Sequence, residues 1–362
     1  MSFLKRLLGG KRKGAGNTIE TFWDWFKNHE KEYRDISDKP MDKREKLLDI
    51  LLENLKPYNP YLKCLLGKNK AEKNELIITA DGDIALFAKV EKLIEAAPCL
   101  DGWKFIAHKP SCGFGIAMDM HGHRFDDTTL HFYPVTEPQM PDEIAIIITH
   151  PAYNQDDAKQ FETAVNIYLE NVLGELAVST DIDSFEVGAE TKDAELIPIT
   201  KLPEYLNWRQ KEFVEKNEHL QADDLSEEYS VIEGTYKSGK PVIAVIRSDT
   251  QYYESKSAFP WLLHIEMGYK GTENGFPSTP QLEESRKIQD DITTMLADYA
   301  DFHELGTKTF DHFRSIYYYL HDYRLASEAL HEHLEKLSSS FDITFFITKD
   351  KYWQRMEEFY SN

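Results

Sequence analysis

The last hundred residues change hydrophobic period in a fixed order, and that order restricts the fold more than any other feature of the chain. "PWLLHIEMGY" is an apolar run of strand length, closed by the Gly- and Pro-rich turn "GTENGFPSTP". A helical period follows from Gln281 to about Tyr299, with Leu282, Ile288, Ile292, Met295 and Leu296 on one side. Next come two strand-like runs, "DFHELGTKTF" and "FRSIYYYLHD", a second helical period, "RLASEALHEHLEKLSSS", and a final strand, "FDITFFITKD". Strand, helix, two strands, helix, strand is the ferredoxin-like βαββαβ order.

The preceding residues give a second α+β pattern. Helices are expected from Thr18, with Phe22, Trp25, Phe26, His29 and Tyr33 recurring at three- and four-residue steps, and over Asp42 to Leu55. The stretch "LKCLLG", the strand "NELIITADGD" and the helix "ALFAKVEKLIEAAP" come next. Four strands are expected in "GWKFIAHK", "FGIAMDM", "TTLHFYPV" and "EIAIIITH", followed by the helix "NQDDAKQFETAVNIYLENVLG" and closing strands in "ELAVSTDIDSFEVGAE". The expected fold is α+β with two domains, each a mainly antiparallel sheet with helices on one face. The expected divisions are a basic flexible tip over 1–17, an N-terminal domain over 18–191, a helical connector over 192–227 and a C-terminal domain over 228–362. A hairpin turning at Ser238 and Gly239 opens the last of these.

Charge narrows the function. Lys5, Arg6, Lys11, Arg12 and Lys13 occupy the first thirteen residues with no acid among them, whereas 37 basic residues face 63 acidic ones in the rest, a formal −26. Binding to phosphate backbones needs clustered Lys and Arg, and none cluster beyond residue 13, so nucleic acid is not the expected partner. A protein partner is expected, and a basic one fits the acidic body; the same acidity also serves plain solubility. The tip, with Phe3, Leu4, Leu7 and Leu8 beside its cations, offers weak peripheral contact with an anionic membrane through residues 1–13, or is a disordered arm. Apolar residues at 41% supply a globular core, and no run approaches the ~20 residues that span a bilayer. Cys64, Cys99 and Cys112 are odd in number and unpaired in spacing, which fits reduced, mostly buried thiols in the cytoplasm.

Several stretches together, "FPWLLHIEMGY", "NGFPSTPQLEESRKIQDDI", "RSIYYYLHD" and "KDKYWQRMEEFY", resemble the DUF695 family of bacterial proteins, roughly from Tyr229 to Tyr360. The family is a domain of unknown function. The resemblance implies an α+β ferredoxin-like domain and brings no catalytic residues or cofactor with it. A looser likeness is to the RraB type of ribonuclease-regulating ferredoxin-like domain, which implies an acidic protein that acts by binding protein.

The densest chemistry lies in "MDMHGHRFDDTTLHFYP". On a strand His121 and His123 share a face about 6 to 7 Å apart, suited to one metal with Asp126, Asp127 or His131 as a third ligand. The same residues also suit the solvated turn of a hairpin at Gly122. His331 and His333 point apart on a helix and are expected on a solvated face. The acids of "ADGD" and "QDDAK" suit helix N-termini. "PSCGFG" matches no nucleophile signature, and "GTENGFPSTP" lacks the ending of a phosphate loop.

No catalytic residue, metal or cofactor is therefore assigned. Interaction surface remains, and Tyr317, Tyr319, Tyr323 and Trp353 are its candidates, with a ring-built core as the competing use. The expected function is a non-enzymatic protein-binding or regulatory module. The alternatives are a metal-dependent hydrolase around His121, His123 and His131, and a membrane-surface scaffold using the tip.

Overall fold

The computed structural model describes residues 18–69, 71–217, 228–236 and 238–360. The basic tip and the end of the expected connector lie outside the described residues. The fold is α+β, and its apolar side chains gather in three clusters.

The first stretch contains α1 (Thr18–Tyr33), α2 (Met41–Leu55), β1 (Lys63–Lys68), β2 (Asn74–Thr79), α3 (Phe87–Glu95) and β3 (Trp103–Ala107). Its sheet runs β1-β2-β3, with β3 parallel to β2 across the α3 crossover. The aromatic spacing of α1 puts Phe22, Trp23, Phe26 and Tyr33 inward, where Phe26 meets Trp103 edge to face at 5.1 Å.

The second stretch contains β4 (Ala117–Met120), β5 (His123–Asp126), β6 (His131–Glu137), β7 (Met140–Thr149), α4 (Ala158–Leu173), α5 (Glu175–Asp181), β8 (Ser184–Gly188), β9 (Ile197–Pro198) and α6 (Leu202–Asn217). A hairpin, β4-β5, accompanies a sheet ordered β8-β7-β6-β9. Phe161, Val165, Tyr168 and Leu169 of α4 cover Ile144, Ile146 and Ile148, and Leu202 and Leu206 of α6 join the same cluster. "ELAVSTD" is helical where a strand was expected. Gly174, at φ 89°, redirects the chain from α4 straight into α5, and a Cβ there would lie 3.1 Å from the Ser111 nitrogen.

The third stretch contains β10 (Tyr229–Thr235), β11 (Pro241–Arg247), β12 (Trp261–Gly268), α7 (Thr279–Ala297), β13 (Phe302–Phe310), β14 (Phe313–Leu320), α8 (Arg324–Lys336), β15 (Asp342–Lys349) and α9 (Glu357–Tyr360). The antiparallel sheet is ordered β10-β11-β13-β14-β12-β15. Its last four strands have the ferredoxin-like order, and β10-β11 extends it. A bulge at Gly306 lets β13 approach β11 so closely that a Cβ would sit 2.1 Å from the Val245 carbonyl oxygen.

Both faces of the sheet are covered over the central strands that carry these rings, which corrects the expected aromatic docking surface. Helices α7 and α8 bury Ile316, Tyr318 and Leu320, and Tyr323 packs in that cluster against Trp261. On the opposite face Tyr317 and Tyr319 lie under the segment that carries Trp353 and Met356. Tyr317, Tyr319, Tyr323 and Trp353 are each at most 2% exposed, so they are core. Asp350 accepts from the Tyr319 hydroxyl at 2.7 Å and from the Gln354 and Arg355 amides, while Trp353, at φ 57°, turns its ring inward.

Polar contacts join the three stretches. His331, expected on a solvated face, is buried and donates to the Ala85 carbonyl at 2.6 Å, beside Lys92 with Glu328 and Glu332. Asp183 faces both Lys349 at 3.0 Å and Lys351 at 2.5 Å, and Tyr352 accepts from the Asp142 amide at 2.7 Å. Glu175, fully buried, accepts from the Thr79 hydroxyl at 2.5 Å and from the Gly82 and Lys109 amides at 2.9 Å.

Candidate binding site

The residues weighed as metal ligands are spent on local structure. His121 and Gly122, at φ 52° and 81°, form the two-residue turn between β4 and β5. His123 packs on Phe161 at 5.0 Å. Asp126 accepts from the Thr128 hydroxyl, Arg124 and the Thr128 and Thr129 amides, bonds that hold its carboxyl well below the usual range. Asp127 accepts from the Tyr168 hydroxyl and the Gly115 amide. His131 opens β6 opposite Thr149 and Pro198, with Nδ1 buried and unpartnered. Among the described residues no three His, Cys, Asp or Glu side chains converge as a group able to hold a metal. Of the cysteines only Cys64 is buried, its thiol pushed up to about 12 by that burial; Cys99 and Cys112 are exposed, contrary to expectation.

A more site-like arrangement stands where β12 ends. A cleft of about 780 Å³ opens there, lined among others by Gly268, Lys270, Glu273, His312, Phe313 and Asp342. Two segments build it. Asp311 and His312 form the β13–β14 turn at φ 44° and 70°, a geometry in which the second position normally goes to glycine. The loop after β12 packs against that turn: Tyr269 N–H donates to the His312 carbonyl at 2.9 Å, and His312 N–H to the Gly275 carbonyl at 2.8 Å. Glycine is required on the loop, because a Cβ on Gly271 would lie 2.5 Å from the Phe276 oxygen and one on Gly275 2.9 Å from the Asp311 Cα.

The imidazole of His312 is oriented by this packing. Gly271 N–H donates to its Nδ1 at 3.1 Å, which places the proton of the neutral ring on Nε2 and makes that atom a donor. Lys270, Glu273 and Asp342 make no side-chain hydrogen bond or ion pair with other described residues. By contrast the hydroxyls of Thr272 and Ser340 are engaged, on the Phe276 carbonyl and Glu284. Sequence reasoning missed His312; the signal available was "FDHF", a histidine where a two-residue hairpin wants glycine.

A second cleft, about 630 Å³, is lined by Asp81, Lys109, Glu162, Asn166, Glu170 and Phe185 among others. Lys109 lies 2.7 Å from both Asp81 and Glu170, so its charge is satisfied within the protein. Below it His108, at φ 64°, is buried between Glu91 and Glu175, and burial lowers its pKa against the pull of both carboxylates.

The sheet also presents an edge. Among the described residues β10 pairs only with β11, in unbroken register from Tyr229↔Arg247 to Thr235↔Pro241. Val231 is 65% and Tyr229 51% exposed, and Glu233 is the strand's one charge.

Comparison with known sequences gives one match, to a family of unknown function, over 237–360. Residues 237–360 match the DUF695 family model. No curated protein and no solved structure matches the chain. The DUF695 match contains the His312 cleft and the ferredoxin-like strands, whereas β10 precedes its first matched residue.

Proposed function

We propose that this chain is a non-enzymatic protein-binding module of the bacterial cytoplasm that takes an extended segment of a partner along the outer edge of β10. The observation that carries the reading is that, among the described residues, nothing pairs with this edge. Sheet proteins normally blunt such strands with Lys, Pro, bulges or a covering element, because unpaired N–H and C=O groups recruit other strands. β10 has seven residues, no Lys or Pro, no bulge and two exposed apolar side chains. β-strand addition uses this combination: main-chain bonds supply affinity and alternate side chains specificity. The partner strand would bring apolar residues against Tyr229 and Val231 and a basic one near Glu233, in keeping with the acidic body. Free cysteines suit a reducing compartment, and among the described residues no helix is long and apolar enough to cross a membrane. The RraB likeness agrees with action by contact, but shared fold does not carry function.

The test is affinity capture from the source cells with the wild-type chain and with Val231→Lys, at several salt concentrations. Hydrogen exchange on the recovered complex completes it. The reading expects a stoichiometric partner, lost in the variant, and slowed exchange over residues 229–235. Recovery of no stoichiometric partner, or equal recovery by the variant, refutes it.

A further inference from the structure

We propose that the cleft between the loop after β12 and the Asp311–His312 turn binds a small zwitterion of amino-acid type. The ligand's carboxylate meets His312 Nε2–H and the Lys270 ammonium, and its ammonium meets the carboxylates of Glu273 and Asp342. The proposal rests on the cleft alone and is independent of the β10 reading.

Three observations lead to it. First, the backbone holds His312 in the left-handed region at the turn position that glycine occupies without strain, and a residue kept there needs another reason. Second, that residue is oriented. Gly271 N–H fixes Nδ1 as acceptor, so Nε2–H is the atom left to face the cleft. The glycines at 271 and 275 admit this approach, and a side chain at either would break it.

Third, the lining charges select the ligand. One ammonium and one imidazole N–H stand with two carboxylates; the Lys270, Glu273 and Asp342 side chains bond no other described residue, and His312 Nε2 lies 4.0 Å from the Asp311 carboxylate, beyond hydrogen-bond reach. A simple anion would meet the repulsion of Glu273 and Asp342, and a simple cation that of Lys270. A molecule carrying both charges a few bonds apart satisfies all four groups. The wall at Gly268 has no side chain, and a Cβ there would lie 3.3 Å from the Phe313 ring. That leaves an apolar surface for the ligand's own side chain.

Isothermal titration of the full chain with the twenty amino acids tests the proposal, with acetate, methylammonium and inorganic phosphate as single-charge controls. His312→Asn is the informative variant: asparagine tolerates positive φ and its Oδ1 can take the Gly271 N–H, but its Nδ2 donor then stands at the imidazole's Cδ2 position, one atom short of Nε2. At least one amino acid should bind saturably to the wild type, lose that binding in His312→Asn and weaken about tenfold in Lys270→Gln. A folded His312→Asn is verified by amide resonances remote from the cleft, over β12 to β15, that match those of the free wild type. Absence of saturable binding by any amino acid overturns the proposal. So does equal binding by folded His312→Asn, or acetate or phosphate binding as tightly as the best amino acid.

Discussion

The indole of Trp353 lies flat on the ring of Tyr319, with centroids 4.2 Å apart and planes 6° from parallel. Its Nε1–H donates to the Phe259 carbonyl at 3.0 Å, so one side chain closes the face of the sheet opposite the helices. Trp353→Ala removes a ring stack, a buried hydrogen bond and a large core volume. We expect a loss of about 3–5 kcal/mol in urea unfolding. A loss below about 1 kcal/mol would show that the segment does not hold that face.

Glu175 is the other closure. Its carboxylate satisfies the Thr79 hydroxyl and two backbone amides away from water. Glu175→Ala strands three donors and is expected to cost about 3 kcal/mol or more, whereas Glu175→Gln, which keeps an acceptor oxygen, costs less. Equal midpoints for the two variants in chemical denaturation would contradict this account.

The bulge at Gly306 makes a steric prediction. Gly306→Ala forces a methyl into the Val245 carbonyl and adds a side chain at φ 138°. The expected cost is about 2–4 kcal/mol, felt first where β11 leaves β13. Hydrogen exchange should show β10 and β11 losing protection before β12 and β14. Uniform loss across the sheet would argue against a local effect.

Stability should also fall with acid through two buried imidazoles. Burial, reinforced by Arg355 and Lys308, lowers His264 to about 3, and burial with Arg247 lowers His303 to about 4. The folded state holds both neutral, while the unfolded chain protonates them below the ordinary histidine value near 6.5. The unfolded state therefore binds more protons between about 6.5 and 4, and stability drops as pH falls through that window. Each contributes a slope of at most about 1.4 kcal/mol per pH unit. Raised carboxylates such as Glu266 and Glu304 act in the opposite sense, so the informative quantity is the wild type minus His264→Gln. No change in slope between them would exclude His264 as a source.

Metal content discriminates the hydrolase alternative. Asp126 already accepts four hydrogen bonds, so protein purified without a histidine tag should hold no stoichiometric zinc or manganese, and His123→Ala should not alter its metal analysis. Stoichiometric metal lost on that substitution would revive the hydrolase.

The ferredoxin-like order was legible because each of its elements is long and strongly periodic, from Trp261 to Lys349. "ELAVSTD" was not. Val178 and Thr180 suggest a strand, but Glu175 is tied to Thr79, Gly82 and Lys109, partners remote in sequence, and that tie accompanies the helix. Tyr317 and Tyr319 looked available because nothing in the pattern says that the segment carrying Trp353 folds back over them. His331 faced solvent in an isolated helix and is covered by Ala85, some 250 residues earlier. His312 escaped notice because its role depends on a positive φ and on a loop that meets it only in three dimensions.

One apolar cluster runs without interruption from Phe22, Leu51 and Val90 to Ile265, Leu330 and Ile347. The limits of the DUF695 match are therefore not limits of autonomous folding. Excised at residue 237, the domain would leave the neighbours of Ala85 on α8 bare and sticky. An intact chain must close loops well over a hundred residues long before that nucleus is complete, a high contact order that favours slow folding and reliance on chaperones.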